Sequence, residues 1–141
     1  MVDFDNTIIE KGNYEVTNET IELMEKIKDD FIIYVVSNSL NDKKLKLVCK
    51  TLSIPYIGNS RKPLSHGYKR LAFKSIKNSE IAMIGDQLIT DVWGANRMGY
   101  YSILVDPMVE KELIFTKFNR GLEKIIYKKN KKDIQRGKYY D

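Results

Sequence analysis

An α/β fold with a parallel central sheet is predicted by three observations. Short apolar runs alternate with segments of helical period along most of the chain, as strands and crossover helices do in β-α units. Polar clusters follow several of those runs, which is where active sites form in doubly wound sheets. The length of 141 residues, with 43% hydrophobic and 30% charged side chains, suits one compact domain with its own core.

Strands are expected at Met1–Phe4, Ile32–Val36, Pro55–Ile57, Ile81–Ile84 and Tyr101–Val105. Between the first two, Thr17 or Asn18 can cap a helix that carries Ile21, Leu23, Met24 and Ile27. Asn41 or Asp42 can cap a second, with Leu45, Val48, Cys49 and Leu52 on its apolar side. A third helix is expected from about Ser65 to Ile76, and a fourth from about Thr90 to Arg97, closing at Gly99. No internal repeat is present, and low complexity is confined to Lys128–Lys132.

Charge divides the chain unevenly. Residues 1–114 hold 15 Lys+Arg against 16 Asp+Glu, and residues 115–141 hold 9 against 3, giving −1 and +6 within the net +5. The basic excess thus lies in the tail; residues 1–108 are taken as the core on the extent of the resemblance set out below, and 109–141 as a C-terminal helical segment with a basic tail. In that tail Leu113, Ile114, Phe118, Leu122, Ile125 and Ile126 recur at near-helical spacing beside Lys117, Arg120, Lys124, Lys128, Lys129, Lys131 and Lys132. Such a segment either packs its apolar side and leaves the lysines solvated, or adsorbs to an anionic lipid surface. Nucleic acid is the less favoured partner, because Tyr127, Tyr139 and Tyr140 form no base-stacking platform. No apolar run approaches the ~20 residues that span a bilayer, and no signal-peptide pattern opens the chain. A cytoplasmic location is expected, with peripheral membrane contact through the tail. The single cysteine, Cys49, falls in an apolar helical pattern without a second cysteine and reads as a core residue.

Four polar clusters lie at or near expected strand ends. Val2-Asp3-Phe4-Asp5-Asn6-Thr7 sets two carboxylates one residue apart, so both face the same side as they leave a strand. One can attack while the other donates a proton. An isolated Asp-x-Asp is more often a pair of solvated turn residues, but this one does not stand alone. Ser37 and Asn38 end the second strand, Lys62 stands in Arg61-Lys62-Pro63, and Gly85-Asp86-Gln87 with Thr90-Asp91 follows the fourth strand.

In that order these clusters resemble the four motifs of the haloacid dehalogenase (HAD) superfamily. Asn6, where many members have glycine, the phrase Gly85-Asp86-Gln87-Leu88-Ile89-Thr90-Asp91-Val92, and Ile103-Leu104-Val105-Asp106-Pro107 resemble the YqeG-type group of subfamily IIIA phosphatases. That group is related to the mitochondrial phosphatidylglycerophosphate phosphatase. The resemblance covers about residues 1–108. It implies a HAD-like Rossmannoid three-layer sandwich and a magnesium-dependent phosphate monoester hydrolase. Asp3 would be the nucleophile that becomes an aspartyl-phosphate, and Asp5 the general acid and base. Magnesium would lie between the Asp3 carboxylate, the Asp5 main-chain carbonyl and the Asp86 carboxylate. Ser37, Asn38 and Lys62 would hold phosphoryl oxygens. Thr7 would order the first motif loop, and Asp91 would support the site through water or by orienting Lys62.

The intervals are short: 29 residues separate Thr7 from Ser37 and 24 separate Ser37 from Lys62, mostly taken up by expected elements. No cap domain fits, and Ile8–Val16 can form only a short flap. Capless members resemble enzymes with large or membrane-borne substrates, so a phospholipid headgroup such as phosphatidylglycerophosphate is the leading substrate. The alternatives are a phosphatase for a soluble phosphometabolite or phosphoprotein, and a non-enzymatic phosphate- or RNA-binding module. A response-regulator receiver is disfavoured because Lys62 precedes the second acidic cluster. Only Met1 and Val2 precede Asp3, whereas a central strand buried on both faces needs about five apolar residues. The first strand is accordingly expected to be truncated. His66 is read as a surface residue near a helix start, Trp93 as a packing residue, and Gly58-Asn59-Ser60 as a turn.

Overall fold

The computed structural model describes residues 1–70 and 76–109. The expected C-terminal helical segment and basic tail lie outside the described residues, except for position 109. Among the described residues all strand pairing is parallel. Strand β1 (Val35–Val36) pairs with β2 (Tyr56–Ile57), and β3 (Ala82–Gly85) pairs with β4 (Tyr101–Leu104). The segment Met1–Asp3 joins the two pairs, because Val2 bridges both Val35 and Ile84. Val2 N–H donates to Tyr34 O at 2.8 Å, Val36 N–H to Val2 O at 2.9 Å, Ile84 N–H to Met1 O at 2.9 Å, and Asp3 N–H to Ile84 O at 2.8 Å. The resulting order is β2, β1, Met1–Asp3, β3, β4. This centre placement delivers Asp3 to the middle of the carboxyl edge of the sheet.

Helix α1 (Asn18–Asp30) starts at Thr17, whose hydroxyl accepts from Thr20 N–H, and α2 (Asp42–Thr51) starts at Asn41, whose side chain accepts from Lys44 N–H. These two elements cover one sheet face. Val2, Phe4, Ile8, Met24, Val35, Leu45, Val48, Cys49, Leu52 and Ile54 form its core. Burial pushes the Cys49 thiol up to about 12, consistent with a packing role. On the opposite face a smaller core joins Tyr68, Met83, Ala95 and Tyr100. It is covered by α3 (Ser65–Lys69) and α4 (Gly94–Arg97). Along β3, Met83 enters the second core while Ile84 packs on the first, the period-two alternation of a sheet buried on both sides. Helix, sheet and helix make the three layers of a HAD-like α/β fold.

Some expectations need correction. Pairing in the second strand is confined to Val35–Val36, and Phe31 and Ile32 are exposed. They lie ahead of Tyr34, whose carbonyl is the first acceptor for Val2. The third helix is described only over Ser65–Lys69, and residues 71–75 lie outside the described set. The fourth helical segment opens at Leu88 rather than Thr90, as a π-helical turn over Leu88–Trp93 that passes into α4. Gly99 follows at φ +72°, a left-handed conformation suited to glycine beyond a helix end. Trp93 does not pack in the core. The residue is 46% exposed, with the Arg97 guanidinium 4.8 Å from its ring centroid. Asp91, two residues earlier, is buried, which turns Trp93 away from the interior.

Candidate active site

The site is built by loops that leave neighbouring strands at one edge of the sheet. Asp3 ends the central segment, Ser37 follows β1, and Asp86 follows β3. Lys62 arrives on the loop after β2, where Asn59 and Arg61 hold positive φ values of 46° and 57°. Asn38 fixes that loop from across the gap. Its Oδ1 accepts from Lys62 N–H at 2.7 Å and from the Ser60 hydroxyl at 2.8 Å, while its Nδ2 donates to Lys62 O at 2.9 Å. Both polar ends of Asn38 are thereby engaged in presenting Lys62.

The Lys62 ammonium lies between two carboxylates, 2.5 Å from Asp3 Oδ1 and 2.6 Å from Asp91 Oδ1. All three residues are buried. Burial alone would lower the pKa of the lysine, but the two carboxylates together outweigh it and raise it. The second Asp91 oxygen accepts from Gln87 N–H at 3.1 Å, so Asp91 has no oxygen left without a donor. Close approach requires Gly85 at this turn, because a Cβ there would stand 2.3 Å from Asp91 Oδ2. Tyr68, fully buried, donates its hydroxyl to Thr90 O at 2.5 Å and so anchors the π-helical turn that carries Asp91.

Asp3, Asp86 and Asp91 each bring a carboxylate oxygen within 4.8 Å of the others. Burial holds Asp3 up to about 6 against the pull of Lys62, and burial with the Asp3 and Asp91 charges holds Asp86 up to about 7. Three carboxylates face one lysine, an imbalance that a divalent cation would correct. Among the described residues, the buried side-chain polar atoms without a hydrogen-bond partner are Asp86 Oδ1 and Thr7 Oγ1. Since buried polar groups are ordinarily paired, an orphaned carboxylate oxygen amid oxygen donors fits a hard divalent metal. Ser37, also buried, accepts Ser39 N–H on its Oγ at 3.0 Å.

Asp5 occupies a different corner. It stands beside a turn, and its carboxylate pairs with Lys44, with Nζ 3.0 Å from Oδ1. Asn6 makes that turn at φ 64°, a left-handed conformation that asparagine tolerates better than most residues. Sequence reasoning missed Lys44 and Tyr68. The available signal for Lys44 was its place four residues before Val48, on the inward side of α2.

A sequence profile of the family described as mitochondrial PGP phosphatase matches residues 1–110. The chain belongs to this family. YqeG of Bacillus subtilis strain 168, described as a probable phosphatase, is 36% identical over 127 residues, covering 89% of this chain and 74% of YqeG. Solved structures agree on the fold. An uncharacterized protein from Listeria monocytogenes serotype 4b superimposes with TM-score 0.64 at 19% identity, covering 91% of this chain and 97% of its own. The HAD-hydrolase YfnB of Bacillus subtilis, solved bound to magnesium, gives TM-score 0.55 at 14% identity over 76% of this chain. The chain spans about half of YfnB, 55% of its length. This PGP phosphatase family member is thus a phosphatase of the YqeG kind with a HAD-like fold, and its acidic cluster is of a kind that can hold a divalent metal.

Proposed function

We propose that the protein hydrolyses phosphate monoesters with magnesium, through an aspartyl-phosphate on Asp3, and that its substrate is a phospholipid headgroup such as phosphatidylglycerophosphate. The observation that carries the reading is the unpartnered Asp86 oxygen beside a nucleophile held by Lys62. Asp3 and Asp86 would hold the metal with the Asp5 main-chain carbonyl, while Asp91, engaged by Lys62 and Gln87, stays behind them. When bound, the ion supplies charge neutralisation and a clamp on phosphoryl oxygens.

The chain's own groups divide the remaining work. Asp3 attacks phosphorus and the ester oxygen departs, taking its proton from Asp5. Asp5 then accepts a proton from the water that attacks the phosphoenzyme, which releases phosphate and restores Asp3. Lys62 and the Ser37 hydroxyl hold phosphoryl oxygens as charge develops. Asn38 contributes through Lys62, since its side chain is engaged there. Thr7, with its buried hydroxyl unpartnered, would order the first motif loop and is free to donate to a phosphoryl oxygen.

The lipid assignment draws on the family and on the short intervals between motifs. Among the described residues no helix is long and apolar enough to cross a membrane, so lipid access would be peripheral, through the basic tail. A phosphate-release screen, with and without magnesium, over vesicles carrying phosphatidylglycerophosphate and over soluble esters tests the proposal. Magnesium-dependent release from vesicles is expected. Release confined to a soluble phosphometabolite or phosphoprotein would replace the lipid substrate, and full activity in excess chelator would remove the metal. Neutralising Lys128, Lys129, Lys131 and Lys132 should weaken salt-sensitive vesicle binding while sparing a small soluble ester. Unchanged vesicle binding would end the tail's membrane role.

A further inference from the structure

Among the described residues, one buried cation takes no part in the reaction proposed above. Lys44 is 4% exposed, and a lysine so buried is rare unless paired. Its partner is Asp5, at 3.0 Å. The ammonium lies over two aromatic rings, with Nζ 5.2 Å from the Phe4 centroid and 5.8 Å from that of Tyr14. Phe4 lies between Asp3 and Asp5 in sequence and is fully buried. Tyr14 belongs to the Ile8–Val16 segment, and its hydroxyl accepts from Asn41 Nδ2 at 3.2 Å. Nζ also reaches Glu10 O at 3.5 Å. The ammonium therefore ties together the first motif loop, the start of α2 and the segment expected to act as a flap.

We infer that Lys44 is a positioning residue for the acid/base step, holding Asp5 by Oδ1 so that its other oxygen is the one presented to the leaving group and then to water. The inference rests on the reading of Asp5 as the general acid and base. A carboxylate 30% exposed on a turn with φ 64° at the next residue has rotamers to choose among. One fixed charge-assisted bond from a buried ammonium selects a single one. Lys44 touches neither phosphorus nor the leaving group; it acts through Asp5.

The test uses the full chain with magnesium and two soluble probes. One is dinitrophenyl phosphate, whose leaving group needs no proton, and the other is a simple alkyl phosphate, whose leaving group does. Lys44→Met keeps the stem against Phe4 and Tyr14 and removes the charge. It should lower kcat/KM for the alkyl ester about tenfold or more, against the 10²–10⁴ that acid-base catalysis contributes, and for dinitrophenyl phosphate less than about threefold. Lys44→Arg should restore most of the loss. In an Asp5→Asn background the same substitution should cost little further. Equal losses on both esters, or a full additional loss in the Asp5→Asn background, would overturn the inference and leave Lys44 a structural ion pair. Should Lys44→Met fail to fold, Lys44→Gln takes its place and is read by the same ratio. A different result would strike the underlying reading instead: if Asp5→Asn alone loses equally on the two esters, Asp5 is not the acid.

Discussion

The two aspartates of the first motif live in different surroundings two residues apart. The Asp3 side chain is 10% exposed against a lysine that is 1% exposed, and Asp5 is 30% exposed against a lysine that is 5% exposed. Asp3 shares its lysine with Asp91, whereas Asp5 has Lys44 to itself among the described side-chain carboxylates. The contrast matches two chemical tasks. A nucleophile gains from a dry, fixed environment in which nearby charges act strongly. An acid and base has to reach an incoming ester and then a water molecule, which a sealed site would prevent.

If the dry half holds the nucleophile, Asp3→Asn should have the largest effect. The amide keeps the shape and loses the attacking oxygen, so turnover should fall by about 10⁴-fold or more while the circular dichroism spectrum is retained. Substantial turnover in the substituted protein would place the nucleophile elsewhere. Lys62→Met sharpens the same half. It leaves Asp3 and Asp91 facing each other without their cation, and breaking a buried ion pair this way costs about 3–5 kcal/mol. Chemical denaturation should show that loss, and turnover should fall by about 10²–10³. An unchanged denaturation midpoint would mean that the triad contributes nothing to stability.

Much of the site was legible because its chemistry is written in short local phrases at strand ends. Asp3-Phe4-Asp5, Ser37, Lys62 and Gly85-Asp86 sit on segments that leave the sheet, with Asp91 on the π-helical turn that follows, so a coarse reading of strands was enough to bring them to one edge. Asn6 was noted as a departure from glycine, and the structure gives the reason in its φ of 64°. For Lys44 the sequence offered only its place on the inward side of α2; its partners were not legible, since a lysine near a helix start reads as solvated until Asp5 and two aromatic rings from elsewhere in the chain are seen beside it. Trp93 misled for the opposite reason. Apolar residues at helical spacing imply a buried face, but a π-helical turn shifts the phase, and Asp91 rather than Trp93 faces inward.

Asp86→Ala concerns the metal side of the dry half. It should weaken magnesium binding by calorimetry, with excess metal restoring part of the activity. Unchanged affinity would take Asp86 out of the ligand set. The smallest effect expected is on stability against pH. Asp3 is held up at about 6 and Asp86 at about 7, above the ordinary carboxylate range of about 4. Between those values the folded, metal-free chain keeps protons that the unfolded chain has released. Its stability should therefore be greatest below about pH 4 so far as these two groups are concerned, and decline as pH rises through 6 and 7. Magnesium, which needs both groups deprotonated, should bind more tightly across the same interval and reverse the decline. Thermal unfolding in chelator and in magnesium from pH 5 to pH 8 measures both trends. A metal-free stability that climbs over this range would contradict the burial of the pair.

The assignment of Asp3 as the covalent centre is tested most directly by trapping the phosphoenzyme. The magnesium-loaded protein is mixed with dinitrophenyl phosphate, quenched in acid within the first turnover, digested, and mapped by mass spectrometry. The account predicts phosphate on the peptide bearing residues 1–11, localised to Asp3 and absent from Asp3→Asn. A phosphate adduct on another residue, or one that persists in Asp3→Asn, would contradict it.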